Sequence, residues 1–144
     1  MKRYVNSALV CLFGISVAVS ACKSGDVVPA DLIRLGTGQS GRLASGLVVR
    51  VDSISDSRCP TEAVCIWEGN VNVSMLISTV NDSAEVKLIL GPDLSKRGAR
   101  DSDSTNVRLD NQTYRVILRD VTPYPKTITQ LVGPKTAVVQ VSRL

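Results

Sequence analysis

Apolar and polar residues alternate along the chain from residue 31 onward, most clearly in five segments. In each segment every second residue is apolar, and many of these are β-branched, which is typical of strands with one buried face. The positions predicted to face a core are Leu47, Val49 and Val51; Val71, Val73, Met75 and Ile77; Ala84, Val86, Leu88 and Leu90; Tyr114, Val116 and Leu118; and Ala137, Val139 and Val141.

Weaker strand candidates lie at 31–36, 105–109 and 127–132, and no segment shows the period of an amphipathic helix. Turn-forming residues separate the segments at 36–41, 80–83, 91–98, 110–112, 122–125 and 133–135. This pattern predicts an all-β fold, a single antiparallel β-sandwich of the immunoglobulin-like type with seven to eight strands over residues 31–144. A barrel is the alternative.

The N-terminus has the three parts of a secretory signal peptide. Lys2 and Arg3 precede an apolar run at 8–19, which is too short to span the roughly 30 Å hydrocarbon core of a bilayer. The run ends in VSAC at 19–22, the pattern of a bacterial lipobox. We therefore expect a lipoprotein signal peptide at 1–21, acylation of Cys22 and a short lipidated tether at 22–30.

An ordinary signal peptidase site and an uncleaved anchor are the alternatives to the lipobox. Ordinary cleavage after Ala21 would leave three cysteines, an odd number, in an oxidising compartment, whereas lipidation of Cys22 leaves only the pair Cys59 and Cys65. The residue after Cys22 is Lys23, whereas an aspartate at this position would favour the inner membrane. In this respect the chain resembles lipoproteins that are sorted to the outer membrane. The predicted location is therefore the bacterial envelope, with the membrane as a partner through the lipid anchor.

Composition argues against a nucleic-acid partner. Loss of Lys2 and Arg3 with the signal peptide lowers the 17 basic residues to 15, against 13 acidic residues, and the basic residues are scattered. The mature chain has only three aromatic residues, Trp67, Tyr114 and Tyr124, which are too few for a base-stacking platform.

The segment DSRCPTEAVCIWEG at 56–69 holds the remaining cysteines, Cys59 and Cys65. The chain has no histidine, which excludes Cys-His and Ser-His-Asp catalytic arrangements. Two thiols do not complete a zinc site, and the spacing does not fit a two-residue redox motif. A structural disulfide in an exported protein fits best, and closing this short loop contributes roughly 2–2.5 kcal/mol to stability.

The neighbours of the predicted disulfide have predicted roles of their own. Pro60 favours a turn directly after the first cysteine, and Trp67 is expected to pack against the bridge. Arg58 is expected to pair with Asp56 or Glu68 as a surface ion pair that contributes about 0–1 kcal/mol.

Two stretches together carry a family resemblance. The chain resembles a group of uncharacterised bacterial lipoproteins with an Asp-Ser-Arg-Cys-Pro and Cys-x-Trp-x-Gly signature. The resemblance lies in DSRCP and VCIWEG at 56–69, in the alternating strand after them, and in YRVILRDVTPYP at 114–125. Glu68 stands where that signature has alanine. The resemblance implies an envelope location, the disulfide and a sandwich fold, and it implies no activity.

A group of oxygen-bearing residues is a candidate for a weak calcium site. The segment fails the EF-hand pattern, because Thr105 stands at its fifth position and an asparagine where glycine is required, so a solvated polar loop is the preferred interpretation. No cofactor is expected. The candidate ligands are Asp101, Asp103, Asn106 and Asp110.

These features favour a non-catalytic, membrane-tethered lipoprotein that acts as a binding or accessory module for an envelope protein. The alternative is a protease inhibitor that presents the Cys59–Cys65 loop, since a rigid loop binds at lower entropic cost. A hydrolase is the third hypothesis, and the missing histidine argues against it.

Overall fold

The computed structural model describes residues 31–92, 102–126 and 133–144. Within these ranges the chain forms strands and no helix, so it contains no helix that is long and apolar enough to cross a membrane. The strands are β1 (Asp31–Gly36), β2 (Ser40–Arg42), β3 (Val48–Asp56), β4 (Val71–Ser78), β5 (Ser83–Leu90), β6 (Asp103–Leu109), β7 (Gln112–Thr122) and β8 (Thr136–Arg143).

The strands form two four-stranded sheets, and every hydrogen-bonded pair is antiparallel. One sheet has the order β1-β8-β7-β6 and the other the order β2-β3-β4-β5. The predicted all-β, antiparallel, sandwich-like architecture is confirmed.

The core lies between the two sheets and is almost entirely aliphatic. The predicted alternation is confirmed, because the apolar positions of the five segments are buried or, for Ala84 and Tyr114, packed against the core. Burial of a single side chain of this kind contributes about 1.5–3 kcal/mol, so the alternating segments supply the main driving force for folding.

The strand order differs from the predicted immunoglobulin-like one. An immunoglobulin sandwich mixes strands that are distant in sequence, through Greek-key connections. Here each sheet consists of strands consecutive in the chain, and the one exception is β1 beside β8. The described order is that of an up-and-down meander divided between two sheets, which shares its nearest-neighbour connectivity with the barrel alternative.

Two local features depart from the alternating pattern. The segment predicted as a turn at 36–41 contains the start of β2, a three-residue strand that pairs with β3. The register also shifts between Val51 and Ser53 in β3 and between Leu118 and Asp120 in β7, so each strand carries a bulge. A bulge adds one residue without a partner, which alternation alone does not reveal.

The strands run antiparallel along the sandwich, so their connections lie at two opposite ends of the domain, which we call poles. The N-terminal pole holds Asp31, the β4–β5 and β6–β7 turns, and the C-terminus; there the Asp31 Oδ2 atom accepts a hydrogen bond of 3.0 Å from the Ser45 amide. The opposite pole, the loop pole, holds the β3–β4 and β7–β8 connections. Strand β3 joins the poles, and its nine residues span roughly 25 Å.

The segments 1–30 and 127–132 lie outside the described residues. The predicted signal peptide, Cys22, the tether at 22–30 and the weak strand candidate at 127–132 therefore stay predictions.

Candidate functional site: the stapled loop and its base

The connection between β3 and β4, residues 57–69, is called the stapled loop. Cys59 and Cys65 form a disulfide in it, with 6.0 Å between their Cα atoms, so the predicted bridge is confirmed. Backbone hydrogen bonds continue the β3–β4 ladder into the loop, from the Ser57 amide to the Asn70 carbonyl (2.8 Å) and from the Cys59 amide to the Glu68 carbonyl (2.7 Å). The bridge therefore closes a loop whose base is already paired.

A single glycine makes this close approach of the two loop ends feasible. Gly69 has a φ of 69°, a conformation that residues with a side chain rarely adopt. A Cβ atom there would overlap the Ser57 carbonyl oxygen, which belongs to the opposite side of the loop. The glycine of the WEG sequence is thus required by backbone packing at the loop base.

A buried ion pair supports the loop from below. The Arg58 side chain donates two hydrogen bonds to Asp56, from Nε to Oδ1 (2.9 Å) and from Nη2 to Oδ2 (2.8 Å), and Nη2 also donates to the Val121 carbonyl (2.8 Å). The Arg58 guanidinium carbon lies 4.3 Å from the centroid of the Tyr124 ring, within the range of a cation–π contact. Lys135 contacts the same carboxylate, 2.9 Å from Oδ2.

The prediction that Arg58 pairs with Asp56 is confirmed, but the prediction of a surface pair is wrong. Only 8% of the Arg58 side chain and 4% of the Asp56 side chain are exposed. The β7–β8 connection covers them, which the sequence around Arg58 does not indicate. We name Asp56, Arg58, Tyr124 and Lys135 the base cluster.

The base cluster keeps its charges through mutual contact. Burial by itself raises the pKa of Asp56, but hydrogen bonds from Arg58 and Lys135 outweigh burial, and the pKa of this carboxyl lies below its ordinary value. Burial lowers the pKa of Arg58, and the hydrogen bond to Asp56 reverses that, so its pKa lies above the ordinary value. A carboxylate held charged by two cations is a poor general base, and the cluster serves to fix the loop in place.

The two stretches that carry the family resemblance meet at this cluster. The Thr122–Pro123 peptide bond is cis, and the Pro123 carbonyl accepts a hydrogen bond of 2.6 Å from Lys135 Nζ. The Pro125 carbonyl accepts a hydrogen bond from the Thr61 amide inside the stapled loop (3.3 Å). The Pro-Tyr-Pro segment therefore packs against the base of the stapled loop.

The far end of the loop exposes apolar side chains. Val64 and Ile66 are fully exposed, and 46% of Trp67 is exposed. We name these three residues the apolar tip. Glu62 and Glu68 flank the tip and are exposed as well, and this part of the loop contains no basic residue. Exposed aliphatic and indole groups on a fixed loop are suited to fill a pocket of another molecule.

Pro60 is half-buried, and its carbonyl accepts the Ala63 amide (3.1 Å), which forms the turn predicted after the first cysteine. Trp67 is less enclosed than its predicted packing role implies, since nearly half of it faces solvent. Its contact with the bridge stays a prediction.

The three predicted calcium ligands that the structure describes do not surround a common point. Asp103 points into the protein, where Oδ2 accepts the Ile89 amide (3.1 Å), whereas Asn106 lies on the outer face of β6. Asp110 lies in the β6–β7 turn, at the other end of that strand. Alternation along a strand separates these residues, and Asp101 lies outside the described residues. In the described ranges no group of three or more Cys, Asp or Glu residues is arranged to hold a metal ion.

No family model, curated protein or solved structure matches this chain. The resemblance to bacterial lipoproteins accordingly stays a prediction.

The disulfide was predicted from the sequence, but two members of the base cluster, Tyr124 and Lys135, were not. Both lie more than 60 residues after Arg58 along the chain. The Pro-Tyr-Pro segment was the available signal, since two prolines beside an aromatic residue indicate a rigid connection.

Proposed function

We propose that this protein is a non-catalytic, lipid-anchored binding module of a bacterial envelope, and that the apolar tip of the stapled loop contacts a protein partner. The observation that supports the proposal most is the exposure of Val64, Ile66 and Trp67 on a loop fixed by a disulfide. These three residues lie within four positions of one loop, and neighbouring exposed apolar side chains often mark an interaction site.

Rigidity of the loop favours binding over a merely structural role. Ordering a flexible loop on association costs free energy, and the disulfide, the backbone ladder and the base cluster remove much of that cost in advance. Tryptophan is also among the residues that most often dominate binding energy at interfaces. The flanking Glu68 favours a partner with an apolar pocket and a basic rim.

The anchor belongs to the same proposal. Lipidation at Cys22 would attach the chain through residues that lead to Asp31, at the N-terminal pole, and the apolar tip lies at the opposite pole. A module anchored in this way keeps its binding loop clear of its own attachment point. Mass spectrometry of the N-terminal peptide tests the anchor: we expect an acylated Cys22, and the variant Cys22→Ser should lose both the acyl chains and retention in the membrane.

In-cell crosslinking of the tagged protein tests the binding role. We expect a discrete envelope protein to be crosslinked to the wild type and lost in the variant Ile66→Ser/Trp67→Ser, which alters exposed residues only. The matched control is Val80→Ser, which changes an exposed apolar residue at the N-terminal pole. Equal crosslinking by all three proteins would exclude the tip as the binding site.

A protease inhibitor is the second candidate, favoured by the exposure of the whole 61–68 segment on a disulfide-closed loop. Inhibition of a protease panel by the purified protein, and its loss in Cys59→Ser/Cys65→Ser, is the expected result for this function. An absence of inhibition at micromolar concentration would exclude it and leave the binding module.

A further inference from the structure

The outer face of the β1-β8-β7-β6 sheet is strongly basic. Four exposed arginines lie on it, from three of its four strands, and we name them the arginine face. The strand register places three of them on the side opposite the buried core positions, and the fourth, in the β7 bulge, reaches the side chain of Gln140 on that same side. The residues are Arg34 of β1, Arg115 and Arg119 of β7, and Arg108 of β6.

Within the described residues, the hydrogen-bond partners of three of these guanidinium groups are uncharged side chains. Arg119 donates to the side-chain oxygen of Gln140 (2.8 Å), Arg115 to the hydroxyl of Ser104 (3.5 Å) and Arg108 to the side-chain oxygen of Asn111 (3.3 Å). Among the residues that the structure describes, no salt bridge involves any of the four arginines.

Asp120 is the one acidic residue among the outward-facing strand positions of this sheet, and its Oδ1 accepts the Val121 amide. The outer face of the other sheet is different, because it mixes both signs. Arg50 pairs with Asp52 there (2.7 Å), and Glu85 and Lys87 follow on β5. The positive charge is therefore concentrated on one side of the sandwich.

We propose that the arginine face binds the anionic phospholipid headgroups of the membrane that holds the lipid anchor; this inference rests on the proposed lipidation of Cys22. Guanidinium groups form paired hydrogen bonds with phosphate, and basic groups near an anionic bilayer are attracted to it. The arginines are spread over three strands of one sheet, which suits an extended surface better than a pocket ligand.

The position of the anchor supports this occupant. The chain enters the fold at Asp31, the first residue of β1, and β1 is an edge strand of the sheet that carries the face. Arg34 follows three residues later. A tether over 22–30 reaches about 30 Å when extended, which is comparable with the length of the sandwich and lets this sheet lie against the bilayer.

Binding through this face would set the tilt of the whole domain. A domain held only by its tether can stand upright, with the apolar tip far from the lipid. A domain held by the arginine face lies on its side, which brings the loop pole closer to the headgroups. The tip then faces along the membrane, toward neighbouring proteins of the same bilayer.

Trp67 allows the tilt to be measured, because it is the only tryptophan in the chain. The full lipidated protein is reconstituted in vesicles that contain dansyl-labelled lipid, either of neutral phosphatidylcholine alone or with about one third phosphatidylglycerol. Energy transfer from Trp67 to dansyl is then recorded. We expect greater transfer in the anionic vesicles, and loss of this gain at about 0.5 M NaCl, where the Debye length falls to about 4 Å.

The variant Arg34→Gln/Arg108→Gln/Arg115→Gln/Arg119→Gln should lose the response to phosphatidylglycerol while it still floats with the vesicles. Two double variants, Arg34→Gln/Arg119→Gln and Arg108→Gln/Arg115→Gln, should each lose part of the response. The matched control changes basic residues on the other sheet, Arg42→Gln/Arg50→Gln/Lys87→Gln, and should behave like the wild type.

The outcomes that overturn the inference are separable from a failure of the proposed function. Equal transfer in both vesicle types, or an equal loss in the control variant, would contradict binding through the arginine face. High, salt-independent transfer in neutral vesicles that disappears in Ile66→Ser would show instead that the tip inserts into lipid. Failure to float would refute the anchor, and partner crosslinking at the tip is measured independently of all these results.

Discussion

At the scale of single residues, Asp56 is a charged side chain that is almost completely shielded from solvent. Its carboxylate is buried and accepts hydrogen bonds from Arg58 and Lys135. Burial of an unpaired charge is strongly unfavourable, so the three groups depend on each other. A buried pair of this kind contributes little net stability, but removal of one partner lowers the free energy of unfolding strongly.

Removal of Arg58 should therefore destabilise the protein strongly. We expect Arg58→Ala to lower the free energy of unfolding by about 3–5 kcal/mol, because it leaves the Asp56 charge with Lys135 alone. The matched control is Arg50→Ala, which removes the half-exposed pair with Asp52 and should cost less than about 1 kcal/mol. Urea denaturation gives both values. Equal small losses would show that the Asp56–Arg58 pair contributes no more to stability than an exposed ion pair.

The depressed pKa of Asp56 predicts the pH dependence of stability. Because its pKa is lower in the folded protein than in the unfolded chain, the unfolded state binds the proton more readily in acid. The stabilisation is fully present above the unfolded pKa of about 3.9 and is lost as the pH falls through the folded pKa. Unfolding free energies of wild type and Asp56→Asn should converge as the pH is lowered below about 4. A constant difference between them down to pH 2 would contradict this expectation.

At the scale of the element, the stapled loop depends on one backbone position at its base. Gly69 and Gly46 both have positive φ, but only Gly69 faces a neighbouring backbone atom, the Ser57 carbonyl. We expect Gly46→Ala to cost about 1–2 kcal/mol, the ordinary penalty of the left-handed conformation. Gly69→Ala should cost more, because the loop backbone must also move; thermal denaturation ranks the two, and the reverse order would be inconsistent with the close approach.

The disulfide should govern both the stability and the protease resistance of this element. Cys59→Ser/Cys65→Ser should lower the free energy of unfolding by roughly 2–2.5 kcal/mol, the entropy estimate for so short a loop. The exposed 61–68 segment should become the first site of limited proteolysis, because it has lost the bridge that restrains it. An unchanged cleavage pattern would mean that the base cluster alone restrains the loop.

At the scale of the whole molecule, alternation predicted most of the fold. Each of the five clear segments became a strand with its predicted face in the core, because one buried face imposes a period of two on the sequence. The division into two sheets and the disulfide were also predicted from the sequence, and the structure confirms both. The alternating pattern describes each strand alone, however, and does not say which strands are neighbours, so the immunoglobulin-like order was not what the structure shows.

The parts that sequence reasoning missed depend on contacts between distant segments. Ser40–Arg42 is too short to show alternation, and the bulge in β7 shifts the pattern by one residue. The base cluster joins Asp56 to Lys135, which no local pattern links. The sequence shows that the residues of the apolar tip are apolar, but it does not show that they are exposed. Their exposure follows from the structure, in which the core does not include them.

The most direct test of the central claim, that the apolar tip binds a protein partner, compares two crosslinking positions on one molecule. A photoreactive residue replaces Ile66 at the tip or Val80 at the opposite pole, both exposed apolar sites, in the otherwise native chain in its host cells. We expect a discrete adduct from position 66, absent from position 80, that disappears when Cys59 and Cys65 are both changed to serine. The same adducts from both positions, or none from position 66, would contradict the proposed binding role of the stapled loop.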